Sequence, residues 1–129
     1  WYLIFIPEAL VFGLANARRN LMKFLFLGVM SDESVSNMHT TSFDKRKAMA
    51  DVVANGAGGS LIDMCFVQGI YDMVAIMDLP SNSAAIGAKA AVLASGAYDH
   101  VEILNEFNLD IAGQVKSAIS QSYRPVGEE

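Results

Sequence analysis

The chain has 129 residues, of which 53% are hydrophobic and 18% charged, and this length allows about one domain. Ordinary domains are roughly 45–50% apolar and about 25% charged, so the composition is shifted toward burial and excludes a wholly disordered chain. One cysteine, Cys65, excludes a disulfide scaffold, and the net charge of −5 argues against a nucleic-acid-binding surface. The apolar excess needs something to cover it, and a partner subunit is the simplest cover.

Residues 1–21 are the most hydrophobic stretch and precede the first predicted strand. A membrane span needs about 20 apolar residues, but Glu8 interrupts this run, and Arg18 and Arg19 end it. We therefore predict an apolar arm, outside the main domain, that docks on another part of the protein or on a partner subunit. Contact with a membrane surface is the weaker alternative. The basic start of a signal peptide is missing, so we expect a cytoplasmic protein.

From Lys23 onward, short apolar runs alternate with helical patterns. Lys23–Met30 is almost continuously apolar, which is typical of a strand buried on both faces. Ser31–Thr41 is polar, with Asp32 and Ser34 as turn or cap residues, and no helix is predicted there. The further predicted elements are a helix capped by Ser42 or Asp44 and running to about Asn55, a strand over Leu61–Val67, a tight connection at Gln68 and Gly69, a strand over Tyr71–Leu79, an alanine-rich helix to about Ser95, a strand over Tyr98–Asn108, and a helix capped by Asn108 or Asp110 and running to about Ser120. The main domain then spans 22–120, and a polar tail follows at 121–129.

This βαββαβ order plus a C-terminal helix predicts an α+β fold of the ferredoxin-like, split βαβ type, with helices on one face of an antiparallel sheet. The first and third strands then lie at the centre of the sheet. Both are apolar on both faces, whereas an open antiparallel sheet that faces water alternates apolar with polar side chains. The second face must therefore be covered, and we expect a homodimer or larger homo-oligomer through it.

The stretch Gly69-Ile70-Tyr71-Asp72, at the entry to the third strand, resembles the signature of the GYD domain family. The similarity extends over about residues 23–118 and includes the helix stops at Gly58-Gly59 and at Gly96. The resemblance implies a ferredoxin-like fold and sheet-to-sheet dimerisation of the dimeric α/β-barrel kind. It implies no activity.

Tyr71 and Asp72 are candidate ligand-binding side chains, and alternation along a strand places them on opposite faces. In the structural interpretation that we favour, Gly69 supplies an unusual φ, Asp72 accepts backbone N–H groups, and Tyr71 packs its ring and hydrogen-bonds at its tip. In the functional alternative, Tyr71 or Asp72 lines a small-molecule pocket. The stretch Gly96–Asp99 repeats the G-x-Y-D pattern, and we interpret this repeat as coincident turn chemistry.

His100 is the third candidate ligand-binding residue. It stands two residues from Glu102 on an edge strand and could form an acid–base pair with it, although a solvated or interface edge is the simpler interpretation. No His or Cys pair has the spacing of a metal site, and a site assembled from His100, Glu102 and Asp63 is a weak alternative. We predict no metal and no cofactor, and we assign no catalytic residue.

Three further features each have a structural and a functional interpretation. We expect Cys65 to be an inert buried thiol rather than a reactive one. We expect the Lys45–Lys47 run to be solvated, with an anion-facing patch as the alternative. Methionines on the strands suit either a sheet interface or a hydrophobic ligand cavity, and we favour the interface. They are Met30, Met64, Met73 and Met77.

The pattern as a whole predicts a homo-oligomeric binding or assembly module. One alternative is a small cofactor-free monooxygenase or isomerase of the dimeric α/β-barrel type. Such an enzyme would need a cavity between sheet and helices, with Tyr71, Asp72, His39 or His100 reaching into it. The other alternative is an accessory subunit of a larger complex, which could be membrane-bound, and residues 1–21 are its only motivation.

Overall fold

A computed structural model of the chain describes residues 20–127. The arm predicted over 1–21 therefore lies outside the described residues, except for its last two. The elements are β1 Met22–Met30, α1 Asp32–Ser36, a 3-10 helix Met38–Thr40, α2 Phe43–Gly56, β2 Ser60–Phe66, β3 Met73–Leu79, α3 Asn82–Ala94, β4 Tyr98–Asn105 and α4 Leu109–Ser122. No helix within this part of the chain is long and apolar enough to cross a membrane.

The four strands form one antiparallel sheet in the order β2-β3-β1-β4. This order confirms the predicted ferredoxin-like α+β fold, with β1 and β3 at the centre and β2 and β4 at the edges. Helices α2 and α3 pack on the same face of the sheet, over a core that includes Phe24, Leu79 and Val101. Small residues allow the close approach of the helices, since Ala54 of α2 and Ala85 of α3 are both buried.

The two faces of the sheet differ in what covers them. On the helix-covered face, every second residue of β1 and β3 is buried. The opposite face, which we call the open face, carries the alternate residues. These residues are apolar and half-buried, apart from the exposed Lys23 and its partner Asp78 at one end. Register places its side chains in rows, because Leu25 lies opposite both Ile76 and Leu104, and Leu27 lies opposite Val74. The central strands are therefore apolar on both faces, as their composition indicates.

Two local predictions were wrong. The polar stretch 31–41 forms α1 and a 3-10 helix instead of turns alone, because the Ser31 hydroxyl accepts the Ser34 amide at 3.2 Å and starts a helical turn. The tight connection at Gln68 and Gly69 is a six-residue segment, 67–72, and β3 begins at Met73. Gly69 has a φ of +148° there, which breaks the extended path before the strand.

Candidate functional site

A cavity of about 660 Å³ lies between the helix-covered face of the sheet and helices α2 and α3. Its floor is formed by side chains of the sheet, including Phe26, Ala75 and Val101. Its walls are rich in alanine, with Ala50 from α2 and Ala88 from α3 among them. The alanines explain the space, because their short side chains hold the helices near the sheet without filling the gap.

The polar side of this cavity is formed mainly by the start of α2. Lys45 and Arg46 both line it, and they are the only charged side chains among its described lining residues. The Arg46 Nε donates a hydrogen bond to the Thr41 carbonyl at 3.3 Å, and the guanidinium lies 5.9 Å from the centre of the Phe66 ring. Neither cation forms an ion pair within residues 20–127. Positive charge therefore faces an apolar space whose own described lining contains no carboxylate.

Tyr98, the first residue of β4, places a hydroxyl-bearing ring on the same cavity. The ring fits because position 28 is glycine: a Cβ there would lie 2.8 Å from the Tyr98 ring. Burial raises the pKa of Tyr98, the positive charge of Arg46 opposes the rise, and the negative charge of Asp72 adds to it. Tyr98 therefore stays protonated at neutral pH and can donate a hydrogen bond.

A second cavity of about 260 Å³ adjoins the first, and both are lined by Thr41 and Arg46. Asp72 lines this smaller cavity. Its Oδ2 accepts the Met30 amide at 2.8 Å, which joins the entry of β3 to the end of β1. Asp72 thus accepts a backbone N–H, as the structural interpretation predicts, and also borders a cavity.

Tyr71 lies before β3, and its hydroxyl donates a hydrogen bond to the Glu102 carboxylate. Glu102 is opposite Leu27, so this pair belongs to the open face, away from the cavities. The hydrogen bond, with the negative charge of Glu102, raises the pKa of Tyr71. Tyr71 and Asp72 therefore reach opposite sides of the sheet, as predicted. The predicted strand included both residues, but β3 begins only after them, at Met73.

All of the sheet except the first two residues of β1, together with both cavities and the Gly69–Asp72 stretch, falls within one family match. The family model described as GYD domain matches residues 24–115. The chain belongs to the GYD domain family. The matched range begins inside β1 and ends within α4. No curated protein and no solved structure matches the chain.

The histidines of this GYD domain lie outside both cavities. His39 is exposed in the 3-10 helix, and His100 is exposed on β4, opposite Val29. His100 shares the open face with Glu102, but within the described chain the two are not hydrogen-bonded, and Glu102 is bonded to Tyr71. Residues 20–127 contain no group of three or more His, Cys, Asp or Glu that could hold a metal ion. Of the predicted site residues, Asp72 is the one that reaches a cavity.

Two of the favoured structural interpretations were wrong. Cys65 is exposed, because it lies opposite Val74 and so belongs to the open face. The strand methionines face the helices instead of a sheet interface. Met64, Met73 and Met77 line the larger cavity and Met30 the smaller one.

Sequence reasoning missed Tyr98 as a site residue and left Arg46 as an alternative. Both had a signal: Tyr98 belongs to the second G-x-Y-D pattern, and Arg46 belongs to the basic run at the start of α2. Of that run, Lys45 and Arg46 line the cavity, whereas Lys47 lines neither cavity. Lys45 and Lys47 are exposed, as predicted for a solvated run, whereas Arg46 is half-buried beside the cavity.

Replacing Asp72 with alanine should lower the free energy of unfolding by about 1–3 kcal/mol, since the part-buried Met30 amide loses its acceptor. Urea denaturation followed by circular dichroism measures the change. Asp99→Ala is the matched control, because Asp99 holds the same place in the second G-x-Y-D pattern, is exposed, and its carboxylate forms no hydrogen bond within residues 20–127. Equal losses in the two variants would contradict the assigned role of Asp72.

Glu102→Gln should lower the pKa of Tyr71 toward the ordinary 10.0, because the carboxylate that disfavours the phenolate is gone. The raised pKa of Tyr71 stabilises the folded chain fully at pH values below the pKa that Tyr71 has in the unfolded chain. This stabilisation is lost as the pH rises through the higher pKa that Tyr71 has in the folded chain. Titration of ¹³Cζ-labelled tyrosine by NMR follows each phenol separately. Glu106→Gln is the control, since Glu106 bonds the Lys23 amide. A Tyr71 titration unchanged by Glu102→Gln would refute the pairing.

Proposed function

We propose that this GYD domain is a homo-oligomeric binding module whose subunits associate through α4 and the open face of the sheet. The observation that carries the proposal is α4, because every one of its residues is exposed in the protomer. Ile111, Val115 and Ile119 recur every fourth residue and form an apolar stripe, and each is more than half exposed. Helices in proteins owe most of their stability to packing of such a stripe, so α4 needs an apolar surface against which its stripe can pack.

The open face supplies a surface of matching chemistry. It presents Leu25, Leu27, Val74 and Ile76, whereas α2 and α3 pack on the other side. Its row continues at the edge strand through Leu104, which is 44% exposed and lies five residues before α4. An isologous interface pairs the same patches on two copies, so one arrangement buries both stripes and both open faces.

The dimensions of the two surfaces agree. The 14 residues of α4 span about 21 Å at 1.5 Å per residue. A four-stranded sheet measures about 14 Å between its outer strands at roughly 4.8 Å spacing. Helix α4 of one copy is therefore long enough to cross the whole sheet of another. The Tyr71–Glu102 pair leaves the Glu102 carboxylate hydrogen-bonded at the rim of this contact.

The larger cavity meets one of the two requirements of a second candidate, a small cofactor-free enzyme of the dimeric α/β-barrel type. The cavity stays open although Phe26 and methionines line it. The four side chains predicted for such an enzyme, Tyr71, Asp72, His39 and His100, do not line it. The ionisable side chains available there are Tyr98, Lys45 and Arg46. The accessory-subunit alternative depends on residues 1–21, which fall outside the described residues but for two.

Modification of Cys65 by a thiol reagent tests the proposed interface. Cys65 is exposed in the protomer and lies on the open face, so a second copy seated there should slow its modification severalfold. The comparison is with the same chain carrying Val115→Glu and Ile119→Glu, and the urea-unfolded chain gives the intrinsic rate. Equal rates in the native chain and the variant would show that the open face is uncovered and would refute the proposal.

A further inference from the structure

We infer that the larger cavity binds a small apolar molecule that carries one anionic group, such as an aromatic or aliphatic carboxylate. The inference deepens the proposed binding role, on which it rests, by naming the class of ligand. It uses the helix-covered side of the sheet, whereas the proposed interface uses the other side. An experiment can therefore refute the ligand inference without refuting the proposed interface, and the reverse.

The apolar part of the ligand follows from the size and lining of the cavity. Its volume of about 660 Å³ lies within the roughly 300–1,000 Å³ typical of small-molecule sites. Four of the seven methionines line it, together with Phe26 and Val101. Methionine is unbranched and polarisable, so such a wall can adapt to an irregular apolar body. Polyanions such as nucleotides are poorly matched, because charge is confined to one side of the space.

The anionic group follows from the charge at the cavity. Lys45 and Arg46 are the charged side chains of its described lining, in a chain whose net charge is −5. Arg46 uses Nε for the Thr41 carbonyl, and its terminal N–H groups form no hydrogen bond within residues 20–127, so they can bind a ligand. The Tyr98 hydroxyl supplies one more donor. Asp72 and Arg46 both line the adjoining cavity, whereas the described lining of the larger one has no carboxylate that competes with the ligand.

Methyl NMR of ¹³C-methionine-labelled protein reports binding inside the cavity. The probe is 2-naphthoate, and 2-naphthamide is its uncharged counterpart. Naphthoate should shift the methyl signals of Met49, Met64, Met73 and Met77 in one saturable process, while Met22, which lines neither cavity, stays unchanged. Non-saturable shifts, or shifts of Met22 as large as the other four, would show surface association and overturn the inference.

The charge requirement is tested by one substitution and its neighbour. Arg46→Gln should weaken naphthoate binding about tenfold, because a charge-assisted hydrogen bond is lost, and should leave naphthamide binding within twofold. Lys47→Gln removes the same charge one residue away and should change neither ligand. Equal affinity of naphthoate and naphthamide for the native chain would overturn the anionic assignment, as would no effect of Arg46→Gln.

The location is tested by filling the space. Ala91 lines the cavity and Ala90 does not, so Ala91→Leu should abolish saturable binding and Ala90→Leu should preserve it. The ligand-free methionine spectrum shows that each variant is folded. Binding by a chain that stays monomeric would refute only the proposed oligomer. An oligomer that binds no naphthoate at these methionines would refute only the ligand inference.

Discussion

Replacing Val115 and Ile119 together by glutamate should convert the oligomer into a folded monomer. Both side chains belong to the apolar stripe of α4 and are exposed in the protomer, so the change costs the isolated subunit little. In the proposed interface, each glutamate would bury an unpaired carboxylate, at about 2 kcal/mol or more. Because an isologous interface buries both substituted positions of each copy, four such penalties add to about 8 kcal/mol and raise the dissociation constant on the order of a millionfold. Sedimentation velocity measures the mass of the variant.

The matched control places the same two charges on the other side of the helix. Ser117 and Ser120 point away from the stripe at 100° per residue, so Ser117→Glu with Ser120→Glu adds equal charge and should keep the oligomer. Circular dichroism of both variants shows whether the sheet and the other helices are intact. An oligomer that survives Val115→Glu with Ile119→Glu would refute the role of α4.

Gly59→Ala should be the most destabilising single substitution considered, with a loss of about 3 kcal/mol or more in the free energy of unfolding. A Cβ at position 59 would lie 1.7 Å from the Asp78 carbonyl oxygen and 2.8 Å from its carbon. These are backbone atoms, so relief requires β2 to move away from β3, where Ser60 pairs with Asp78. Urea denaturation measures the change.

Gly87→Ala gives the opposite expectation with the same chemical change. Gly87 lies inside α3, and an added Cβ would meet nothing within 4 Å. Alanine is the better helix former, so stability should rise by about 0.5–1 kcal/mol. A Gly59→Ala variant with the same free energy of unfolding as the native chain would contradict the close approach of Gly59 to the Asp78 carbonyl.

Hydrophobic patterns were sufficient to predict the order of strands and helices and therefore the fold. Two helix caps could also be predicted. The Ser42 and Asn108 side chains each accept the backbone N–H three residues further along the chain. Helix α1 was missed since it is short and polar, and lacks the apolar periodicity that marks longer helices. Sequence patterns predict well the segments that carry a regular apolar stripe, including α4, whose stripe is exposed in the protomer.

The error at Cys65 has a definite physical cause. Strict alternation from Leu61 would place Cys65 on the helix-covered face with it. The register shifts between Leu61 and Asp63, so that Leu61 and Met64 share that face and Cys65 turns to the other. A bulge of this kind is set by pairing with β3, which the β2 segment alone does not encode.

The cavity could not be predicted from the sequence for a similar reason, since it depends on contacts between distant segments. Arg46 and Tyr98 are far apart in the chain and meet because α2 and β4 border the same space. Each had a local signal, but only the packing of alanine-rich helices on the sheet creates the volume between them. Tyr71 and Asp72 could be identified from the sequence. Their side chains form hydrogen bonds to other strands, Tyr71 to Glu102 of β4 and Asp72 to the Met30 amide of β1.

Light scattering of the full chain, coupled to size-exclusion chromatography, tests the homo-oligomeric proposal most directly. We expect a mass of at least twice the 13.9 kDa of one chain, falling to 13.9 kDa for Val115→Glu with Ile119→Glu. A native chain that elutes as a stable, folded 13.9 kDa monomer at every concentration would contradict it.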